Sequence, residues 1–187
     1  RVAMMTGTKS VSIMDVKYET VKETSFPYIY IYDICPLDAD RLLLATQDGI
    51  FSFNIHTGEY KQLDLLRNEL VYAITRNTEG HYWIAYGGNK LLKWMPSFQQ
   101  YMPVSNSYQL MHPRTRVNDL YEDDNGVLWV ATNNNGVLKI DTKLPKIFTR
   151  RLDVDLPINY HNVDISAAKD GEVWLACGTC GFVRVDM

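Results

Sequence analysis

The feature that most constrains the fold is an internal repeat of 40 to 46 residues. Residues 117–141, VNDLYEDDNGVLWVATNNNGVLKID, align without a gap to residues 162–186, NVDISAAKDGEVWLACGTCGFVRVD. Trp129 and Trp174 then share one position, 45 residues apart. Two looser copies place Trp83 and Leu43 in that position, at further steps of 46 and 40 residues. A chain that repeats at such a period forms one supersecondary unit per copy.

The four copies also agree in the chemical character of their columns. Nine residues before the Trp position stand Ile34, Ile74, Leu120 and Ile165, and two residues after it stand Ala45, Ala85, Ala131 and Ala176. Ten residues before it, an aspartate recurs in three copies, as Asp33, Asp119 and Asp164, and the other copy has Ala73. Late in each unit an aromatic residue recurs, as Tyr18, Tyr60, Tyr101 and Phe148.

Within a unit the pattern predicts four short antiparallel strands. Asp124, Asn125 and Gly126 form a tight-hairpin signal between the first and second strands. The second strand, VLWVAT, is apolar without clean alternation, as expected when both faces of a sheet are covered. Four strands per unit with one Trp motif predict an all-β fold of β-propeller blades. A solenoid has mostly shorter repeats, and a sandwich would not repeat its columns in register.

The repeat divides the chain into about four units. We expect blades at 29–68, 69–114 and 115–159, with partial blades at 1–28 and 160–187. In the first partial blade the pattern places the second strand from Val2, the third strand ending at Asp15 and the fourth strand around Tyr18. A closed propeller completes one blade from both termini, whereas both ends here lack a strand, so we expect a segment of a longer array, most simply one seven-bladed propeller.

Composition and charge exclude some function classes. The net charge is -3, from 19 basic and 22 acidic residues, and no basic stripe is present that would grip phosphates. We therefore expect no contact with nucleic acid. No apolar run approaches the roughly 18 residues that cross a bilayer.

The string at 117–141 resembles the two-component regulator propeller repeat. Lys90 departs from that repeat where a loop glycine is expected, and Leu43 and Asp40 replace the Trp and the turn Gly. The resemblance implies the periplasmic sensor region of Bacteroidetes hybrid two-component system histidine kinases, proteins with two large propellers, a β-sandwich and one membrane span before the kinase and regulator domains. It also implies a homodimeric receptor, with the remaining blades in the same protein, that senses an oligosaccharide or another small ligand.

Propeller ligands usually sit where the first strands begin and where the second strands turn into the third. Aromatic faces and amide groups at such positions suit a sugar, because its CH faces stack and its hydroxyls form paired hydrogen bonds. The candidate ligand-binding residues are therefore Tyr32, Tyr72, Tyr86, Arg116, Asn118, Asn134, His161 and Asn162. The same residue types also serve tight turns and channel filling, which is the alternative reading for each of them.

Several other residues are of types that serve in catalysis or metal binding, but each has a simpler structural explanation. Cys177 and Cys180 form a C-x-x-C pair, for which a strand-to-strand loop and a disulfide are both open. The run Glu122, Asp123 and Asp124 lacks the closing glutamate of a calcium loop and is expected to be a solvated turn. The recurring aspartates are expected to bond neighbouring backbone rather than to act as acid and base. The histidines, His56, His81, His112 and His161, show no metal spacing, so neither metal nor cofactor is expected.

Three functions follow from these observations. The first is a non-enzymatic sensory module whose ligand biases a kinase. The second is a scaffold or dimerisation segment, with the ligand bound elsewhere. The third is a propeller lyase resembling the streptogramin lyases, which would need clustered histidines and acidic residues on one face.

Overall fold

The computed structural model describes residues 2–5, 9–104, 114–142, 149–151, 163–167, 173–177 and 181–185. Side chains are described for 3–5, 9–97, 99–104 and 114–142. In these ranges the regular structure is β-strand, apart from one turn of 3-10 helix at Pro96–Phe98. None of the described residues lies in a helix long and apolar enough to span a bilayer.

The strands form five antiparallel sheets, which we number as blades 1 to 5. Blade 1 contains β1 (Val2–Met5), β2 (Ser10–Asp15) and β3 (Thr20–Ser25). Blade 2 contains β4 (Ile31–Pro36), β5 (Arg41–Thr46), β6 (Gly49–Asn54) and β7 (Tyr60–Gln62). Blade 3 contains β8 (Val71–Arg76), β9 (Tyr82–Tyr86), β10 (Lys90–Met95) and β11 (Gln100–Pro103). Blade 4 contains β12 (Val117–Glu122), β13 (Val127–Thr132), β14 (Val137–Asp141) and β15 (Thr149–Arg151). Blade 5 contains β16 (Val163–Ala167), β17 (Val173–Cys177) and β18 (Gly181–Val185).

In every blade the strands lie side by side in chain order, so each sheet is a simple meander. In blade 4 the repeated Trp129 lies opposite Tyr121 of β12 and Lys139 of β14. Trp174 occupies the same position in blade 5, where it lies opposite Ser166 and Arg184. The predicted all-β propeller blades are confirmed, and so is the hairpin at 124–126, where Gly126 has φ +79°.

The chain divides into two compact units, 1–72 and 73–187. In the first unit, side chains of blades 1 and 2 form one core, including Val11 and Ile13 of β2, Leu44 of β5 and Phe53 of β6. In the second unit, side chains of blades 3 and 4 form another, including Leu91, Leu120, Leu128 and Val130. In blades 2, 3 and 4 the second strand is buried along nearly its whole length, as its unbroken apolar sequence predicts.

The structure explains the departure at Lys90. Gly49 and Gly136, in the turns between the second and third strands of blades 2 and 4, have φ of +108° and +65°. In blade 3 the left-handed positions fall earlier, at Gly87 and Gly88, with φ of +56° and +94°. Strand β10 can therefore begin at Lys90 without a glycine.

Two expectations about local structure are wrong. Asp123 is 8% exposed, so the acidic run is not a solvated turn, although Asp124 is exposed. Burial is tolerated because the Asp123 carboxylate accepts hydrogen bonds from two backbone amides and one indole. Tyr18 lies in the turn between β2 and β3, not in a fourth strand like Tyr60 and Tyr101.

Candidate ligand-binding face

The predicted residues that the structure describes lie at one end of their blades, which we call the loop end. It is the end where the first strand begins and where the second strand turns into the third. In blade 2, Ile31 lies opposite Thr46, and the Gln47 amide donates to the Tyr30 carbonyl at 3.2 Å. In blade 4, Val117 lies opposite Thr132. The sequence positions chosen from different turns are therefore neighbours within a blade.

A β-bulge recurs at the loop end of blades 2 and 4. The register shifts between Ile31 and Asp33, so that Tyr32 is the extra residue, and between Val117 and Asp119, so that Asn118 is the extra residue. Bulges turn the direction of a side chain and are common beside binding sites. Two of the predicted ligand residues thus occupy the same special backbone position.

The recurring aspartates bond to the backbone at these bulges. Asp33 Oδ1 accepts from the Ile34 amide at 2.8 Å, and Asp119 Oδ1 accepts from the Leu120 amide at 2.7 Å. The expected hydrogen bond to neighbouring backbone is confirmed for both. The side chain of Asp164 lies outside the described residues.

In the first unit, Tyr32 and Tyr72 form a ring pair. Their centroids are 5.3 Å apart, with the rings inclined at 57°. Both side chains are half-buried, so part of each ring faces solvent. A tilted tyrosine pair of this kind presents an apolar surface with hydroxyl groups at its edge.

In the second unit, Arg116 and Asn118 form a polar pair. Arg116 Nε donates to Asn118 Oδ1 at 3.1 Å, and the Arg116 amide donates to Asn133 Oδ1 at 2.8 Å. The Val117 amide donates to the Gly88 carbonyl of blade 3 at 3.1 Å. Asn118 Nδ2 is buried and has no partner among the described atoms, which is unusual in folded proteins and marks a place for a polar group.

The remaining predicted residues are less connected. Tyr86 is half-buried, with Lys90 Nζ 5.3 Å from its ring centroid, and Asn134 is exposed. His161 and Asn162 lie outside the described residues, as do His112 and Cys180. The structure therefore brings together Tyr32 with Tyr72, and Arg116 with Asn118.

Sequence reasoning missed two exposed tyrosines at the loop end of the first unit. Tyr28 is 86% exposed and Tyr30 is 42% exposed, in the connection between β3 and β4. A signal was present, because tyrosine stands at every second position in FPYIYIYD, at residues 28, 30 and 32. Only the last of these was selected, since the choice was limited to the first residues of the strand.

A cleft of about 520 Å³ lies at the opposite end of the blades of the first unit. Ala3, Ile13, Leu42 and Ile55 line it, together with Asp40 and His56. His56 Nε2 is 2.9 Å from Asp40 Oδ1, and Lys22 Nζ donates to the His56 carbonyl at 2.8 Å. The first contact lies within blade 2 and the second connects blades 1 and 2, so both are structural links.

Among the residues that the structure describes, no three His, Cys, Asp or Glu side chains are arranged to hold a metal ion. His81 is paired with Glu79, at 3.1 Å from Nδ1 to Oε2. The two described histidines thus lie in different blades, each beside a carboxylate.

A family model named "two component regulator propeller" matches residues 112–134. This match covers the first strand, the buried Asp123 turn and the Trp129 strand of blade 4. Residues 112–134 are thus similar to a two component regulator propeller repeat. Trp129 and the bulge at Asn118 both lie inside the matched residues. No curated protein matches the chain.

Solved propeller structures resemble the whole chain. The extracellular domains of two proposed hybrid two component systems from B. thetaiotaomicron match at TM-scores of 0.67 and 0.66, each with 16% identity. The matches cover 95% and 96% of this chain and 25% and 26% of those chains. A virginiamycin B lyase from Staphylococcus aureus matches at a TM-score of 0.64 with 13% identity, over 95% of this chain and 63% of that chain. The chain therefore spans about a quarter of those extracellular domains, and likeness at this identity shows a shared fold.

Proposed function

We propose that this chain is a ligand-sensing propeller segment in the periplasmic region of a hybrid two-component sensor histidine kinase, and that its ligand is an oligosaccharide. The observation that carries the proposal is the bulge shared by blades 2 and 4. It places Tyr32 and Asn118 at the same backbone position, where one joins a tyrosine pair and the other an arginine–amide pair. Stacking rings and paired polar groups are what a sugar requires.

The family assignment supports the signalling part of the proposal. Residues 112–134 carry the repeat, and extracellular domains of hybrid two component systems share the fold. In this proposal the rest of the receptor supplies the remaining blades, the dimer, the membrane span and the kinase. The chain itself performs no chemistry.

A scaffold or dimerisation role is the second candidate, and one observation favours it. Arg116 and Asn118 bond to each other and to Asn133, and Asn118 Nδ2 is buried. Such closed contacts are also what a residue that only stabilises the blade would make. The two candidates differ in whether substitutions at the loop end change the response to ligand.

The test is the transcriptional response of the bacterium that carries the receptor. Cells bearing Tyr72→Ala, Tyr86→Ala, Asn118→Ala or Asn134→Ala in the intact receptor are given a panel of purified plant and host oligosaccharides, and transcripts are sequenced. Lost induction by one sugar, with receptor abundance and melting temperature unchanged, supports direct sensing. Normal induction in all four variants contradicts it and favours the scaffold.

A further inference from the structure

The connection between β3 and β4 holds an unusually exposed aromatic ring. Tyr28 is 86% exposed, while Phe26 and Ile31 on either side of it are 0% and 1% exposed. A large aromatic left in water forgoes the burial that stabilises most tyrosines. Exposed rings held on a rigid base are typical binding anchors, because ordering them on binding costs little.

The backbone that carries Tyr28 is held in place on both sides of the residue. The Phe26 amide donates to the Lys9 carbonyl at 2.7 Å, and the Ile29 amide donates to the Phe26 carbonyl at 3.2 Å. The Phe26 ring packs edge-on against Phe53, with centroids 5.6 Å apart. The connection is therefore a preformed turn between two buried anchors.

Polar side chains contact the backbone of this turn and the neighbouring Tyr30 ring. Gln47 Nε2 donates to the Tyr28 carbonyl and to Asp48 Oδ2, both at 3.2 Å, and Asp48 is exposed. Lys9 Nζ lies 4.2 Å from the Tyr30 ring centroid and 3.3 Å from the Pro27 carbonyl. The ammonium thus covers one face of Tyr30, which leaves Tyr28 as the open ring.

This combination favours a sugar over an apolar protein surface. The core of a protein interface is depleted of charged residues, whereas the Gln47 amide and the Lys9 ammonium contact the backbone of the turn that carries Tyr28, and Asp48 bonds to that amide. A pyranose ring has CH faces that stack on an aromatic ring and hydroxyls that both donate and accept hydrogen bonds.

We infer that Tyr28, Gln47 and Asp48 form a carbohydrate subsite, in which Tyr28 stacks on a pyranose ring and the two polar side chains bind its hydroxyls. The inference rests on the proposed function and extends it to residues outside the predicted set. The subsite lies at the loop end of the first unit, as Tyr32 and Tyr72 do.

The test is calorimetric titration of the intact protein that carries this chain with maltohexaose, cellohexaose, laminarihexaose and mannohexaose. For a sugar that binds the wild type, Tyr28→Ala should weaken Kd about ten-fold, the loss expected for one stacked ring. Tyr28→Phe keeps the ring and should stay within about two-fold. Tyr18→Ala removes another exposed tyrosine, from the β2–β3 turn, and should change nothing.

The outcomes separate this inference from the proposed function. Binding that survives Tyr28→Ala but is lost in Tyr72→Ala overturns the subsite and leaves the sensing proposal standing. No binding of any of the four sugars by the wild type overturns the subsite for hexose oligosaccharides and counts against both. A change in sedimentation of Tyr28→Ala with unchanged sugar affinity identifies the ring as a protein contact and also overturns the subsite. Melting temperature should not change, because Tyr28 is almost fully exposed.

Discussion

The indole Nε1 of Trp129 donates a hydrogen bond of 3.0 Å to Oδ2 of Asp123, inside blade 4. The other carboxylate oxygen, Oδ1, accepts from the amides of Asn125 and Val127, both at 2.9 Å. One side chain thus closes the β12–β13 turn and fixes the tryptophan that recurs along the chain. In blade 4 the tryptophan is thus held by burial and by this turn together, whereas the Trp83 indole of blade 3 donates to Glu122 Oε2.

Replacing Asp123 should therefore destabilise the blade. Asp123→Ala removes three acceptor contacts and leaves a buried indole N–H unpaired, which should lower the free energy of unfolding by about 2 to 3 kcal/mol. Asp123→Asn keeps one carbonyl oxygen and should cost less. Urea denaturation of the chain measures both, and a loss below about 0.5 kcal/mol for Asp123→Ala, the range of ordinary surface changes, would contradict this role.

Two turn glycines provide a matched comparison. Gly49 and Gly136 both have positive φ, but a Cβ on Gly49 would lie 2.6 Å from the Leu66 carbonyl oxygen, whereas one on Gly136 meets nothing within 4 Å. Gly136→Ala should cost about 1 kcal/mol from backbone strain alone. Gly49→Ala should cost clearly more, because the backbone must also move. Equal losses in urea denaturation would show that the approach to Leu66 does not restrict position 49.

Tyr121 should make stability depend on alkaline pH. Its half-burial, and then the charges of Asp124 and Asp123, raise the pKa of the Tyr121 phenol above its usual value of 10.0. The folded state then favours the neutral phenol, so this contribution is complete below about pH 10 and is lost as the pH rises through the raised value. Above pH 10 the wild type should lose more unfolding free energy than Tyr121→Phe.

Urea denaturation at pH 8 and pH 10.5 measures this difference. The difference between the wild type and Tyr121→Phe at pH 8 is the reference for the difference at pH 10.5. A Tyr121→Phe profile parallel to that of the wild type would show that the phenol titrates alike in the folded and unfolded chain.

The blades could be predicted from sequence because a repeat of this period is compatible with few folds. A tryptophan column at steps of 46 and 45 residues, with alanine two residues later, requires one repeated sheet. Asp33 and Asp119 were also interpreted correctly, since a polar residue at one blade position in three copies suits a backbone contact. The match to the family model lies in the copy around Trp129, where the pattern is clearest.

Other features could not be read from the pattern. The burial of Asp123 depends on the indole of Trp129 reaching back to the turn, and hydropathy describes three adjacent acidic residues as solvated. The bulges at Tyr32 and Asn118 depend on register, which the residue types do not specify. The exposure of Tyr28 follows from the turn at 26–29, closed by the bond from the Ile29 amide to the Phe26 carbonyl. A regular strand would instead bury or expose the three alternating tyrosines together.

The central claim is that these blades contact the ligand, and calorimetric titration of the complete extracytoplasmic region with an oligosaccharide panel tests it most directly. The account predicts saturable binding of at least one oligosaccharide that is abolished by Tyr72→Ala and by Asn118→Ala, with both variants folded by circular dichroism. Binding that persists unchanged in both folded variants would contradict the claim and assign this segment to the scaffold.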